Sequence, residues 1–182
     1  MPRLPVPYHR PLPAMHSLEQ HRAQAPSSVA CAVITVSDTR TYETDTGGAT
    51  LIARLQAAGH QLRQRELIPD DPRQLREVLQ RVCREPAIQA VLITGGTGIG
   101  QRDQTYETVT AALTKTLPGY GELFRMLSYA EIGSATMLSR AVGGLIGAVV
   151  VLTMPGSPAA VGLAMDRVIL PELGHLVREA QR

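Results

Sequence analysis

A chain of 182 residues is long enough for one domain with a buried core and a terminal extension. Aromatic residues make up only 3% of it and its net charge is +2, so neither base stacking nor a strongly basic surface favours a nucleic-acid partner. No run of about 18 apolar residues is present, so no membrane-spanning helix is predicted and the cytoplasm is the expected location.

Residues 1–28 are predicted to form a separate, flexible, proline-rich extension. Five prolines within the first 13 residues disfavour a helix there, and no apolar stretch resembles a signal peptide. A short helix is expected at residues 17–24, before Pro26. The folded domain is expected to occupy residues 29–182.

Three continuous apolar runs are typical of strands that are buried on both faces of a sheet. They cover residues 29–36, 88–94 and 148–154, and a weaker strand pattern covers residues 61–68. Helical patterns separate these strands, and strands that alternate with helices form parallel units. The expected fold class is therefore α/β, with three α/β/α layers and a mostly parallel sheet.

The helical patterns carry recognisable start and stop signals. Asp71 is a suitable N-cap with Pro72 in the first turn behind it, and Gly59 is suited to end the preceding helix. The predicted helices cover residues 48–58, residues from 72, residues from about 105, and residues 121–131, 157–170 and 171–181.

Small, hydroxyl or acidic residues follow each of the four predicted strands. In an open parallel sheet, ligands bind beyond the carboxyl ends of the strands, and these ends share one edge. We therefore expect the functional site at that edge, where the four segments are Ser37-Asp38-Thr39-Arg40, Pro69-Asp70-Asp71, Gly95-Gly96-Thr97-Gly98 and Pro155-Gly156-Ser157-Pro158.

The segment from Thr94 to Gly98 predicts a phosphate-binding loop. Its glycines allow successive backbone N–H groups to face an anion, and the threonine hydroxyls add donors. The alternative is a turn that only lets strand and helix pack closely. The loop lacks the Gly-Lys-Ser/Thr of a Walker A motif, and Gln101 stands where a dinucleotide fingerprint needs glycine.

Two carboxylates lie within reach of this loop. Asp103 follows it by five residues and Asp70 ends another strand, so together they could hold a Mg²⁺ ion that bridges nucleotide phosphates. The alternatives are a helix N-cap for Asp103 and a turn or cap for Asp70. Asp38 and Asp45 have the same alternatives.

Other polar residues are compatible with an anionic ligand. Ser37 and Ser157 stand at strand ends and could donate hydrogen bonds. Arg125 and Arg140 could neutralise an anion or could equally lie at a surface or interface. No Ser–His–Asp or Cys–His pattern indicates nucleophilic hydrolysis.

Several motifs also occur in the order found in one known family. They cover residues 35–40, 45–48, 67–70, 94–98, 102–103, 118–122 and 154–157. With these motifs, residues 29–175 resemble the MogA/MoaB-type molybdenum cofactor biosynthesis proteins, the molybdopterin adenylyltransferase family. Residues 124–128, 131–133 and 138–141 are most similar to the MoaB branch.

The resemblance implies a protein that binds molybdopterin and transfers AMP from Mg-ATP to its terminal phosphate. By motif position, Asp70 and Asp103 would be the essential aspartates and would hold Mg²⁺. It also implies a homo-oligomer, either a trimer or a hexamer. The residues that would bind or line phosphate and pterin are Thr94, Gly95, Gly96, Thr97, Gly98, Ser37, Asp38, Glu122, Gly156 and Ser157.

One departure from the family pattern leaves a second function open. After the Arg-Asp-x-Thr motif, adenylyltransferase members usually have a proline and an acid, whereas this chain has Tyr106 and Glu107. A non-catalytic molybdopterin carrier is therefore the alternative. Molybdate insertion, an activity of larger related proteins, is less expected of a chain of this size.

Overall fold

The protein is described from a computed structural model, which covers residue 22 and residues 24–182. The flexible extension and the short helix expected at residues 17–24 fall largely outside these described residues. The first strand of the described residues begins directly after Val29.

Within the described residues the chain forms one six-stranded sheet, ordered β2-β1-β3-β6-β5-β4. The strands are β1 (Ala30–Val36), β2 (Gln61–Ile68), β3 (Ala90–Thr94), β4 (Lys115–Thr116), β5 (Gly143–Ile146) and β6 (Val149–Met154). The four strands predicted from the sequence are all present and pair in parallel. They form the part of the sheet that carries the candidate site.

Two strands were missed by the sequence analysis, β4 and β5. At one side of the sheet, β4 pairs antiparallel with β5, and β5 pairs antiparallel with β6. The first strand is only two residues long, and both are exposed, while the second begins with Gly143 and Gly144. Neither therefore has a period-two or continuous apolar pattern. Their pairing depends on the neighbouring β6 strand, which a local pattern does not reveal.

Each helix predicted after residue 29 is present, with bounds within a few residues of the prediction. The α-helices are α1 (Thr46–Ala57), α2 (Pro72–Val82), α3 (Thr105–Ala112), α4 (Pro118–Ile132), α5 (Pro158–Ala164) and α6 (Leu173–Ala180). Between α4 and β5 lies a 3-10 helix, Gly133–Leu138, and α5 continues into a π-helical turn, Met165–Ile169.

The helix ends show which local signals are used. Asp71 accepts hydrogen bonds from the N–H groups of Arg73 and Gln74 and caps α2 as predicted, while Gly59 follows α1 with a φ of 84°. Asp45 caps α1, which the sequence left open. Its carboxylate is almost fully buried and also accepts hydrogen bonds from the Thr35 hydroxyl and the Arg65 guanidinium.

The two faces of the sheet are covered by separate layers of helices. On β1, Cys31 and Val33 belong to the cluster that includes residues of α1, α4, α5 and α6, whereas Ala32 and Ile34 belong to the cluster of α2 and α3. The alternation confirms a sheet buried on both faces and a three-layer α/β/α domain. Among the described residues, no helix is long and apolar enough to cross a membrane.

Candidate ligand site at the carboxyl edge of the sheet

The four strand ends meet at one edge, as the sequence predicted. The Ser37 N–H donates to the carbonyl of Ile68 at 2.9 Å, which joins the ends of β1 and β2. The Gly95 N–H donates to the carbonyl of Met154 at 3.0 Å, which joins β3 and β6. Backbone hydrogen bonds therefore join these loops in pairs.

The glycine-rich loop after β3 needs two of its glycines for conformational reasons. Gly95 and Gly96 have φ values of 98° and 62°, which residues with a side chain rarely adopt. Thr94 and Thr97 are almost fully buried, and the Thr94 hydroxyl donates to the carbonyl of Pro155 at 3.1 Å. That hydrogen bond ties the last loop in place, and ligand binding by Thr94 stays a prediction.

Both predicted aspartates lie against the glycine loop. A Cβ atom added to Gly96 would be 2.8 Å from Oδ2 of Asp70, and one added to Gly98 would be 2.7 Å from Oδ2 of Asp103. Asp103 also accepts a hydrogen bond from the Gly100 N–H at 2.9 Å. The absence of side chains at these glycines thus makes room for two carboxylates beside the loop.

Asp103 does not act as the cap of a helix. The N-cap position of α3 is Gln104, whose side chain makes no capping hydrogen bond. Asp103 instead closes the turn around Gly100, while Asp70 accepts a long hydrogen bond, 3.4 Å, from the Gln104 N–H. The structural alternative for Asp103, a helix N-cap, is therefore wrong.

The charge of Asp70 is unfavourable in its surroundings. Burial raises the pKa of the Asp70 carboxyl, and the negative charges of Asp103 and Asp38 raise it further. The Gln104 N–H hydrogen bond and the Arg102 charge act in the opposite direction and lower the pKa. A cation beside both carboxylates would relieve this repulsion. The oxygen-rich environment fits Mg²⁺, which commonly uses one or two protein carboxylates together with water and phosphate oxygens.

Asp38 has a supporting position in the site. Its carboxylate accepts two hydrogen bonds from Arg102, at 2.8 and 3.1 Å, and one from the Asp70 N–H at 3.0 Å. The Arg102 hydrogen bond is the main reason that the pKa of Asp38 is lowered. Asp38 therefore remains charged and fixes the backbone that carries Asp70.

Two cavities adjoin the glycine loop. One, of about 320 Å³, is lined by Gly96, Thr97, Gly98 and Asp103, and the other, of about 360 Å³, is lined by residues that include Ser37, Arg40, Thr94 and Gly95. Gly156 and Ser157 line both cavities. The Ser157 oxygen also accepts the Ala160 N–H at 3.2 Å and caps α5.

Glu122 lies in a third cavity. This space of about 550 Å³ is also lined by Tyr106, Arg125 and Arg140, and it shares Ser139 with the 320 Å³ cavity. Glu122 is therefore next to the predicted edge but does not line the same cavity as the glycine loop. Its position depends on the packing of α4 against β5, which motif order alone does not give.

Arg140 contacts the loops of the site in a way that sequence reasoning did not foresee. Its side chain donates to the carbonyl of Gly98 at 2.7 Å and to the carbonyl of Asp103 at 2.6 Å. Arg125 donates instead to the carbonyl of Ala141 at 3.1 Å. No local pattern around position 140 indicates these contacts, because they join segments about 40 residues apart.

The fold and the carboxyl edge of its sheet define a class of α/β protein. In this class, a candidate anion site consists of a glycine-rich loop flanked by carboxylates. Known proteins identify that class more closely. The sequence profile of the family described as "probable molybdopterin binding domain" matches residues 32–175. The chain belongs to this family, within which its relatives are molybdenum cofactor biosynthesis proteins B.

The similar proteins match along nearly their whole lengths. Molybdenum cofactor biosynthesis protein B of Halalkalibacterium halodurans is 48% identical over 164 residues, covering 90% of this chain and 96% of the relative. The protein of the same name from Bacillus subtilis is 48% identical over 167 residues, covering 91% and 98%. The family resemblance drawn from the motifs is thereby confirmed.

Solved structures agree with the fold. A crystal structure of molybdenum cofactor biosynthesis protein B has a TM-score of 0.84 and 50% identity, covering 87% of this chain and 99% of that one. The tungsten cofactor synthesizing protein MoaB from Pyrococcus furiosus has a TM-score of 0.78 and 34% identity, covering 87% and 100%. The predicted three-layer architecture is therefore the architecture of the family.

Proposed function

We propose that this protein acts in molybdenum cofactor biosynthesis, where it binds molybdopterin and transfers AMP from Mg-ATP to its terminal phosphate. One observation carries the proposal: Asp70 and Asp103 flank the glycine loop at the edge where the family's ligand is expected. Their repulsion favours a cation beside the loop.

The proposed reaction makes modest demands on the side chains. An oxygen of the molybdopterin terminal phosphate attacks the α-phosphorus of ATP, a new P–O bond forms, and the bond between the α- and β-phosphates breaks. Pyrophosphate leaves with the electron pair of that bond. Because the attacking oxygen is already anionic, a general base is not required, and the main needs are alignment and charge stabilisation.

The residues of the edge are suited to those needs. The backbone N–H groups of the segment Gly95–Gly98 would bind phosphate oxygens, helped by Ser37 and Ser157 at the neighbouring strand ends. Asp70 and Asp103 would hold Mg²⁺, which supplies charge neutralisation for the nucleotide phosphates. Asp38 and Arg102 would keep Asp70 in position.

A non-catalytic molybdopterin carrier is the second candidate, favoured by one specific position. Tyr106 replaces the proline usual in the transferase members and lies 5.4 Å from the Arg140 guanidinium, beside the third cavity. A carrier would bind the pterin without releasing pyrophosphate. Its binding would also be insensitive to Asp103→Ala.

Pyrophosphate release under anaerobic conditions distinguishes the two candidates. We expect wild-type protein with Mg-ATP and molybdopterin to release pyrophosphate, and Asp103→Ala to lower the rate by about 100-fold or more. Asp166→Ala is the matched control, since Asp166 is paired with Arg54 instead of with the site. Pterin binding without release by folded wild type would contradict the transferase and support the carrier.

We also propose that the protein is a homo-oligomer, a trimer or a hexamer. Large apolar side chains are exposed along α4 and the 3-10 helix after it, where a single chain leaves them in water. Contiguous apolar surface of this kind is typical of protein interfaces. These residues are Leu123, Met126, Tyr129, Ile132, Met137 and Leu138.

A further inference from the structure

Arg140 connects the two segments of the candidate site that carry its chemistry. Its Nε donates to the carbonyl of Gly98, at the end of the glycine loop, at 2.7 Å. One terminal nitrogen donates to the carbonyl of Asp103 at 2.6 Å, and its own backbone N–H donates to the carbonyl of Thr97 at 3.2 Å. One residue therefore spans the loop from Thr97 to Asp103.

The same loop is also held by other contacts. Residues 99–102 are exposed and belong to no helix or strand, but Asp103 exchanges hydrogen bonds with Gly100. The Arg102 side chain donates to the Asp38 carboxylate at 2.8 and 3.1 Å. To these contacts Arg140 adds the link between the carbonyls of Gly98 and Asp103.

The guanidinium is itself held from two further directions. Its remaining nitrogen donates to the carboxylate of Glu107, and its carbon lies 5.4 Å from the centre of the Tyr106 ring. The side chain is about one quarter exposed. Each guanidinium nitrogen thus has a protein acceptor, and a planar fork held at three points is rigid in a way that a lysine ammonium is not.

We propose that Arg140 is a positioning residue, which sets the Asp103 carboxylate and the glycine loop at a fixed distance through backbone carbonyls. Tyr106 and Glu107 hold the guanidinium in that role. The inference rests on the proposed function in so far as Asp103 is needed for adenylyl transfer. The effect on Asp103 itself is independent of any reaction and is measured without one.

The first measurement is amide hydrogen exchange of the free protein over residues 95–105. Arg140→Ala is expected to raise exchange in this segment by about tenfold or more, because charge-assisted hydrogen bonds are lost. Arg140→Lys is expected to resemble Arg140→Ala, since one ammonium cannot reach the three acceptors. Arg54→Ala is the control, because it removes an arginine bound at 3.0 Å to both carboxylate oxygens of Asp166. Exchange unchanged in both Arg140 variants would overturn the proposal.

The second measurement is a double-mutant cycle on pyrophosphate release. Arg140→Ala is expected to lower kcat by about 100-fold, as misplacement of a reacting group does, and to lower it far less in the Asp103→Asn background. Fully additive losses would show that Arg140 acts without Asp103 and would contradict the proposal. If wild type releases no pyrophosphate, the proposed function fails, and the exchange result alone decides the role of Arg140.

Discussion

At the residue scale, the surroundings of Asp70 in the free protein disfavour the charged form of its carboxyl. Burial raises its pKa, and so do the charges of Asp103 and Asp38. A carboxyl whose folded pKa is raised binds protons more readily in the folded state than in the unfolded state. The contribution of Asp70 to stability is therefore fully present below its unfolded pKa and is lost as pH rises through its folded pKa. At neutral pH the charged form is destabilising.

Asp70→Asn is accordingly expected to raise the Tm of the free protein at pH 7.5. The gain should disappear at acidic pH, below the ordinary pKa of an aspartate, where Asp70 is protonated in both states. The amide oxygen of asparagine can still accept the hydrogen bond from the Gln104 N–H. Thermal unfolding of the variant and the wild type at several pH values checks this expectation.

The neighbouring Asp38 supplies a control of opposite sign. Its pKa is lowered by the Arg102 hydrogen bond, so its charge favours the folded state above the unfolded pKa. Asp38→Asn should therefore not raise the Tm at pH 7.5. A rise in Tm with Asp38→Asn, or a fall with Asp70→Asn, would contradict this balance of charges at the edge of the sheet.

Gly96 illustrates why the site needs glycine at one position in particular. Gly96 has a left-handed φ of 62°, which is strained for a residue with a side chain. A Cβ there would also collide with the Thr105 hydroxyl and the Asp70 carboxylate. Gly96→Ala is expected to lower the free energy of unfolding by about 2–4 kcal/mol, because backbone strain and steric overlap add. Chemical denaturation measures the loss.

Gly147 provides the matched control for this substitution. It has nearly the same φ, 59°, but a Cβ there would have nothing within 4 Å. Gly147→Ala should cost only the backbone strain, about 1–2 kcal/mol. Equal losses for the two variants would mean that the Asp70 carboxylate and the Thr105 hydroxyl yield to a methyl group at no cost.

At the scale of elements, α4 has two apolar sides. Phe124 is buried in the core, whereas Met126, Tyr129 and Ile132 recur every three residues on a side that is 58–64% exposed. A helix that is apolar on two sides is expected to pack against two neighbours. Within the described chain, the core supplies only one of them.

Tyr129→Glu is expected to dissociate the proposed oligomer, because it buries a charge in an apolar contact. Light scattering during gel filtration should give wild type a mass of three or six times 19.6 kDa and the variant a lower mass. Tyr42→Glu is the control, since Tyr42 is similarly exposed, at 51%, but its ring lies against Arg65 of β2. Wild type at 19.6 kDa, or equal masses for all three proteins, would contradict the assembly.

At the scale of the whole molecule, the sequence predicted the features that depend on local pattern. Continuous apolar runs indicated β1, β3 and β6, cap residues such as Asp71 indicated helix ends, and parallel topology brought the strand ends to one edge. These predictions are correct because a buried strand or a capped helix is encoded in consecutive residues.

The remaining features depend on contacts between distant segments. The strands β4 and β5 exist through pairing, Asp45 is buried by Arg65 and Thr35, and Arg140 contacts loops about 40 residues away. The hydrogen bond from the Thr94 hydroxyl to the carbonyl of Pro155 is a further contact of this kind. Such partners are distant in the sequence and are brought together by the fold, so local residue type and spacing do not identify them.

The edge of the sheet, with Asp70 and Asp103 beside the glycine loop, is proposed to transfer AMP to molybdopterin. The measurement that tests it most directly is an anaerobic single-turnover reaction with ATP labelled at the α-phosphate. We predict that the label moves to the pterin with wild-type protein and with Asp166→Ala but not with Asp103→Ala. Label that remains in ATP, with folded wild type that binds molybdopterin, would contradict the claim.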